Sequence, residues 1–350
     1  MFKKLITWSE KEFSHLPWRK KRSLYRTLVS EIMLQQTTVS TVLNHFERFV
    51  SEYPDIETLA SASEEQITMS WKGLGYYRRA RNLRKAAIDI QENFKGKIPT
   101  TMESLLTING VGPYTASALI AIGNNKPALA VDANLERVLA RIYGVKIEKG
   151  PKLLKAIQTM YGEGEIFPDM NKLGPRALNE ALMDLGRVYC QARKADCDLC
   201  PVRSGCHAFQ KSRPLNYPIV KETVKESHEL DLLRVVVLKD DKVLSYQKKD
   251  SEWLAGQWEL PTFVLSTSDQ ALSQYPTLSL APKLSKKINV KNLKTFKTAI
   301  TKYKITNRIL VLGEKEFKDL KFKGDFKFKS IDPGITNHAT STLKVFKNLK

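Results

Sequence analysis

A chain of 350 residues with 42% apolar content is long enough to bury more than one core and too apolar to be a disordered polymer. Its 57 Lys and Arg against 37 Asp and Glu leave a formal net charge of +20, which disfavours basic partners and favours a polyanion, with nucleic acid ahead of a membrane surface. No apolar run approaches about eighteen residues and the charged N-terminus MFKKLITWSEKEF has no cleavage-like site, so the expectation is a soluble cytoplasmic chain without a membrane span. In that compartment four cysteines point to metal ligation or catalysis rather than to disulfides.

Residues 2 to 15 fit an amphipathic helix that His15-Leu16-Pro17-Trp18-Arg19 ends, because Pro17 interrupts the pattern. Trp18 suits packing there, and Arg19 can turn toward a phosphate or an acidic side chain. From Tyr25 to Leu34 the apolar spacing predicts a helix, with Leu24, Leu28, Val29 and Ile32 available for burial. Glu31 falls inside this run. A carboxylate beside a buried face costs free energy unless it is paired or protonated, and desolvation raises its pKa; such an acid can protonate a leaving group at neutral pH. A salt-bridged or helix-capping role for Glu31 is the plainer alternative. Gln35 and Gln36 follow, with amides that donate and accept and so suit a base edge or the end of a helix.

A helix over Val39 to Phe49 and short helical pieces over Ile56 to Ala60 and Ser63 to Trp71 lead into Trp71-Lys72-Gly73-Leu74-Gly75-Tyr76-Tyr77-Arg78-Arg79-Ala80-Arg81. Two glycines set a loop before a basic helix. Tyr76 and Tyr77 beside Arg81 put aromatic faces next to cations, an arrangement that can wedge between bases while holding phosphates.

Between Leu105 and Asp132 lies the most specific local pattern, two helical segments joined through Asn109-Gly110-Val111-Gly112-Pro113. Two glycines around one valine allow a tight turn, and Pro113 suits the first position of the second helix, Tyr114 to Ile122, because its missing N–H would be unpaired there anyway. This is a helix-hairpin-helix, and the backbone N–H groups of Gly110, Val111 and Gly112 make a small anion site suited to a nucleic-acid phosphate. Beyond it, Asp132 opens a helix over Leu135 to Tyr143 and reads first as an N-cap. Backbone N–H groups and the helix dipole favour the charged form of a capping carboxylate. Glu31 and Asp132 then divide the labour needed to break a glycosidic bond, an acid for the leaving group and an anion for the cationic sugar.

Phe167 to Asn171 reads as a loop and Pro175 to Val188 as a strong helix, which delivers the chain to Cys190, Cys197, Cys200 and Cys206. Four thiolates in that compact pattern can bind zinc or an iron–sulfur cluster, and spacing does not separate the two. Residues 208–229 lose hydrophobic periodicity and read as a linker between a helical domain over 1–207 and a second domain over 230–350. In the second domain LDLLRVVVLKD, KVLSYQKK and GQWELPTFVL read as strands, as do Val290 to Ile300, Lys302 to Leu312 and Phe326 to Ser330. Gln270 to Leu284 reads as irregular with one helix, and Ala339 to Phe346 as a short helix or an extended edge, giving an α+β class.

In order along the chain, SEIMLQQTTVSTV, WKGLGYYRRARNL, NGVGPYTASAL, VDANLERVL and the four-cysteine spacing closely resemble the MutY-type adenine DNA glycosylases, a family of the helix-hairpin-helix glycosylase superfamily. The likeness covers roughly residues 5 to 208; a weaker one, carried by WLAGQWELP from Trp253 to Pro261, extends to the family's Nudix-like second domain. The resemblance implies a mostly α catalytic domain with an iron–sulfur cluster loop and an α+β Nudix-like domain that recognises 8-oxoguanine. It implies that Glu31 protonates adenine at N7, that Asp132 stabilises the oxocarbenium-like sugar, that Asn134 orients the acidic groups and that Tyr114 borders the pocket. Gln36 and Tyr76 would enter the duplex near the oxidised guanine. Cys190, Cys197, Cys200 and Cys206 would hold a structural [4Fe–4S] cluster, and a monovalent cation would sit at the hairpin turn. The implied partner is double-stranded DNA with an 8-oxoguanine:adenine or guanine:adenine mismatch, met by a monomeric, nucleoid-associated enzyme of base excision repair.

Three features of this chain qualify that picture. Endonuclease III-like enzymes, glycosylases with lyase activity on oxidised pyrimidines, carry a lysine where this chain has Tyr114; without that amine, water is the expected nucleophile and the enzyme monofunctional. Ala133 replaces a glycine common between the aspartate and asparagine. Phe296-Lys297-Thr298 stands where the family has Phe-Ser-His, so Thr298 takes the place of a DNA-contacting histidine, and no Nudix hydrolase signature is present. A non-catalytic DNA-damage binder is the third reading, from the basic surface and two-domain plan.

Overall fold

The apolar spacing of the first two hundred residues folds into helices and the alternating segments that follow fold into sheets. The computed structural model describes residues 1–221, 226–249, 251–276, 290–319 and 324–349. It divides into two compact units, Met1–Glu222 and Thr223–Lys350.

In the helical unit, one core gathers the Leu24–Leu34 and Arg78–Phe94 helices around Leu28, Ile32, Phe46, Phe49, Trp71, Leu83 and Ile90. A second joins the Ala133–Tyr143 and Pro175–Val188 helices through Leu135, Val138, Leu139, Leu178, Leu182 and Leu185. Each such side chain contributes about 1.5–3 kcal/mol when fully buried. Caps fix where these helices begin. The Ser23 hydroxyl accepts from Arg26 N, Ser63 and Gln66 form a capping box, and Asp132 caps the Ala133–Tyr143 helix. The helix expected over Val39 to Phe49 is instead two, Val39–Leu43 and Phe46–Glu52. His45 stands at the break, its Nδ1 paired with Thr41 O at 2.9 Å and its Nε2 with Lys72 O at 3.0 Å. An additional helix, Pro151–Gly162, was not anticipated; it starts with proline at its first turn and buries Leu153 and Ile157.

The hairpin consists of the Met102–Leu106 helix, a turn, and the Pro113–Ala118 helix, which continues as a π-helical turn over Leu119–Gly123. Gly110 has φ +77°, and a Cβ there would meet Asn82 Cβ at 2.9 Å. Gly112 caps the second helix with φ −92° and faces open space.

The four-cysteine stretch calls for a correction. All four cysteines are free and border one small cavity. Yet among the described residues no group of three or more His, Cys, Asp or Glu side chains is placed to hold a metal ion. Two of the thiols have other partners: Arg141 Nη1 donates to Cys190 Sγ at 3.3 Å, and Cys206 Sγ donates to Arg141 O at 3.4 Å. Burial pushes the Cys200 thiol up to about 11 and also raises Cys197 and Cys206. The fold is therefore a helical unit without the expected iron–sulfur cluster loop.

The stretch read as a linker begins with the His207–Gln210 helix, and Ile219 bridges to Glu148 within the helical unit; residues 222–225 lie outside the described ones. In the second unit, β1 (His228–Val236) pairs antiparallel with β5 (Thr262–Thr267) and parallel with β7 (Tyr303–Val311), whose other edge takes β6 (Lys294–Ile300). A second sheet holds β2 (Leu238–Lys239), β3 (Lys242–Gln247), β4 (Trp258–Glu259) and β8 (Lys327–Ser330), with β3 at its centre. Alternate residues of β1 feed opposite cores, Leu230 and Leu232 on one side and Leu233 and Val235 on the other, as a strand covered on both faces requires. A helix over Glu314–Asp319 was not anticipated, and the chain end is the Thr340–Leu349 helix. Of the stretch read as irregular from Gln270 to Leu284, residues 277–284 lie outside the described ones.

Candidate active site

A cavity of about 730 Å³ opens in the helical unit, and Glu31, Tyr114, Asp132, Asn134, Gln35 and Gln36 all line it. Residues separated by a hundred positions meet there because the Leu24–Leu34 helix packs against the hairpin's second helix and its π turn.

Glu31 lies in the last turn of the Leu24–Leu34 helix and is 6% exposed. Its Oε2 accepts the Tyr114 hydroxyl hydrogen at 2.6 Å. Burial pushes its carboxyl up to about 7; Tyr114 and Arg19 oppose that rise, whereas Asp132 and Glu180 add to it. At neutral pH the group is therefore balanced between acid and carboxylate. Burial, reinforced by Glu31, lifts the Tyr114 phenol well above its ordinary value, so it stays a donor.

Asp132 is held differently. Its Oδ1 accepts from Asn134 N at 2.9 Å and Leu135 N at 2.8 Å, and its Oδ2 accepts from Asn134 Nδ2 at 2.8 Å. Asn134 Oδ1 in turn accepts from Arg137 Nη1 at 3.0 Å, and the buried Arg137 is fixed by Cys190 O and Gly186 O. Three donors around an N-cap make a stable seat for an anion. Ala133, in place of glycine, starts the helix behind this cap.

The other predicted residues divide. Arg19 turns to acidic side chains: its Nη1 donates to Asp184 Oδ2 at 2.8 Å and its Nε lies 3.6 Å from Glu180 Oε1. Gln35 Nε2 donates to Thr115 Oγ1 at 3.5 Å, and Gln36 takes a left-handed backbone at φ +54°. Tyr76 is 60% exposed, also left-handed at φ +48°, whereas Tyr77 is packed in the core. Arg81 pairs with Glu64 at 3.7 Å. Gly110, Val111 and Gly112 form the hairpin turn, Val111 itself buried. In the second unit Thr298 lies on β6, where its hydroxyl accepts from Asn307 Nδ2 at 2.9 Å. The expected monovalent cation at the hairpin turn is corrected together with the cluster, since no metal-holding side-chain group occurs there or elsewhere among the described residues.

Three contributors escaped sequence reasoning. Glu180 and Asp184 line the cavity from the Pro175–Val188 helix; their signal, an acid on an apolar helical face, was the one that singled out Glu31. Arg79 is the third, buried behind Gln36 and Tyr76.

Residues 29–160 match the model of the HhH-GPD superfamily base excision DNA repair proteins. The chain is 34% identical over 208 residues to the adenine DNA glycosylase of Buchnera aphidicola subsp. Schizaphis graminum, covering 59% of this chain and 59% of that relative. It is 36% identical over 216 residues to the adenine DNA glycosylase of Homo sapiens, covering 59% of this chain and 39% of that relative. The matched span is thus under two thirds of the length of either relative. A solved thermostable thymine-DNA glycosylase superposes with a TM-score of 0.50 at 26% identity, over 60% of this chain and 95% of that one. The matched model lies wholly within the helical unit and gives no support to the Nudix-like expectation for the second unit. Residues 29–160, which carry the buried acid and the capped carboxylate around one cavity, are thus similar to the HhH-GPD superfamily base excision DNA repair proteins.

Proposed function

We propose that this chain is a monofunctional adenine DNA glycosylase that hydrolyses the N-glycosidic bond of adenine opposite 8-oxoguanine or guanine in double-stranded DNA. The observation that carries the reading is Glu31, a buried carboxyl held near a pKa of about 7 in the same cavity as a firmly capped aspartate. The adenine must leave the stack, because its bond to the sugar is inaccessible within a duplex. A cavity of about 730 Å³ has room for an extruded base.

Protonated Glu31 gives its proton to the leaving base, and the Tyr114 hydroxyl then hydrogen-bonds the carboxylate that remains. Asp132, oriented by Asn134, lies across the cavity's wall as the anion for the positive charge that develops on the sugar. Water completes the reaction. Among the described residues no lysine lines the cavity, so no amine is at hand for a Schiff base. The hairpin turn from Gly110 to Gly112 holds a backbone phosphate, Gln36 and Tyr76 enter the duplex near the opposing base, and Thr298 marks a strand that meets DNA from the second unit. The net charge of +20 suits that partner. The protein works as a monomer and away from membranes, and no described helix is long and apolar enough to cross one.

Duplexes carrying adenine opposite 8-oxoguanine, guanine or thymine, incubated with the protein and then treated with alkali, test this directly. Strand breaks at adenine in the first two are expected. No breaks in any duplex, or a borohydride-trapped covalent adduct in high yield, would overturn it, the second outcome in favour of an endonuclease III-like lyase.

A further inference from the structure

The left-handed backbones of Gln36 and Tyr76 are held by one buried side chain. Arg79 is 9% exposed and sits in the first turn of the Arg78–Phe94 helix, where the dipole offers a cation nothing. Its Nη1 donates to Ile32 O at 2.9 Å, to Met33 O at 2.7 Å and to Gln35 O. Its Nη2 donates to Thr37 Oγ1 at 2.8 Å and to Leu74 O and Gly75 O, both at 3.3 Å. Ile32 O and Met33 O belong to the last turn of the Glu31 helix, whose final carbonyls have no partner within the helix. None of the six acceptors is a carboxylate. The guanidinium also lies 5.6 Å from the Trp71 ring centroid and 5.4 Å from that of Tyr76. Trp71 Nε1 adds a bond to Gly75 O at 3.1 Å.

We infer that Arg79 is a positioning residue that locks the turn carrying Gln36 and the turn carrying Tyr76 into one rigid unit with the end of the Glu31 helix, so that both side chains meet a mismatched duplex already set. A left-handed backbone is unfavourable for a residue with a Cβ and persists only where its surroundings impose it. Here the two strained residues are each next to carbonyls that Arg79 captures, Gln35 O beside Gln36 and Gly75 O beside Tyr76. The planar fork matters as much as the charge: an ammonium has three donors at one point and does not span acceptors on two separate turns. The inference rests on the proposed duplex roles of Gln36 and Tyr76, whereas the clamp itself is separable from them.

The test uses the full chain and two readouts. Hydrogen exchange of Arg79→Lys should quicken in residues 32–37 and 72–77 together and stay unchanged in 133–143; acceleration in one turn alone, or in neither, overturns the clamp. Duplex affinity is then measured in a cycle of Arg79→Lys, Tyr76→Ala and the double variant, each single change weakening mismatch binding by about tenfold, the scale of one charge-assisted hydrogen bond. If Arg79 acts through Tyr76 as well as Gln36, the double variant loses less affinity than the sum of the two single losses; additive losses overturn the positioning of Tyr76 by Arg79. Thr37→Val, which removes one acceptor and keeps the guanidinium, should move both readouts in the same direction by less, and serves if Arg79→Lys does not fold. A wild-type protein that does not prefer mismatched duplex would remove the proposed role of Tyr76, and the exchange result would still decide the clamp.

Discussion

Glu31 and Glu259 are buried carboxyls in separate units of one chain, 6% and 0% exposed, and they titrate in opposite directions. Glu31 accepts a hydrogen bond from the Tyr114 hydroxyl, and burial carries it up to about 7. Burial pushes Glu259 the same way, but Arg234 at 2.6 Å and Lys248 at 3.1 Å, helped by the Ser341 hydroxyl, pull it down to about 2. Depth alone therefore decides neither charge state nor role. A buried acid left short of cations is poised to move a proton; one saturated with them is a fixed charge that holds strands together.

That contrast breaks most visibly in activity. Glu31→Gln should lower the rate of base release by about 10²–10⁴-fold while duplex affinity stays within a few fold, measured by single-turnover assay and titration. Glu259→Gln should leave base-release chemistry on the helical unit alone and destabilise the second unit by about 3–5 kcal/mol, because Arg234 and Lys248 lose their buried partner; a denaturant melt without a weakened transition would show the pair to be dispensable.

The two acids also predict opposite pH dependences. The Glu31 pKa rises from 4.5 to about 7 on folding, so its contribution is full below pH 4.5 and is lost as pH rises through about 7, a change of about 3 kcal/mol by linkage. Glu259 falls from 4.5 to about 2, so its stabilisation is present above pH 4.5 and is lost as pH falls toward 2. Melts of each substituted protein across pH 2 to 9 check the signs: the Gln variant at position 31 should be relatively more stable above pH 7, and that at 259 relatively less impaired near pH 2.

Smaller effects sharpen the picture around the first acid. Gly110→Ala should cost about 1–2 kcal/mol, since φ is +77° and the added Cβ meets Asn82. Gly112→Ala, at φ −92° in open space, should leave stability almost unchanged, so any loss of duplex affinity reports contact with DNA. Tyr114→Phe removes a hydrogen bond that lowers the Glu31 pKa; the midpoint of the pH–rate profile should move above about 7, with a stability loss of about 1 kcal/mol. A midpoint that moves down would separate Tyr114 from the titrating acid.

Much of the candidate site was legible because its signals are local. Glu31 stands out within an apolar helical run, Asp132 within a capping pattern, and the hairpin in its glycines and proline. Arg79 was illegible: five of its six acceptors are backbone carbonyls, chemically the same at every position, and the nearest on the Glu31 helix are more than forty residues away. Lys248 and Glu259 were missed for a related reason, since each lies in a short strand segment or beside one where a charged residue ordinarily faces solvent. The helix over Val39 to Phe49 failed at His45, whose ring bonds to another segment's carbonyl. The cysteine spacing suggested ligation, but spacing says nothing about where four sulfur atoms point or which donors reach them first.

The π turn at Leu119–Gly123 has a mechanical consequence. Its bonds run from Asn124 N to Leu119 O at 2.9 Å, and Arg176, from the helix that bears Glu180 and Asp184, donates to Ile122 O and Gly123 O there. One surplus residue in that turn sets the phase between the two ends of the segment, like a tooth added to a gear. Removing it would restore an ordinary α-helical pitch and rotate Tyr114 by about 100° relative to everything anchored beyond Gly123. The hydroxyl that touches Glu31 is thus timed by a residue wound in one turn further along the chain.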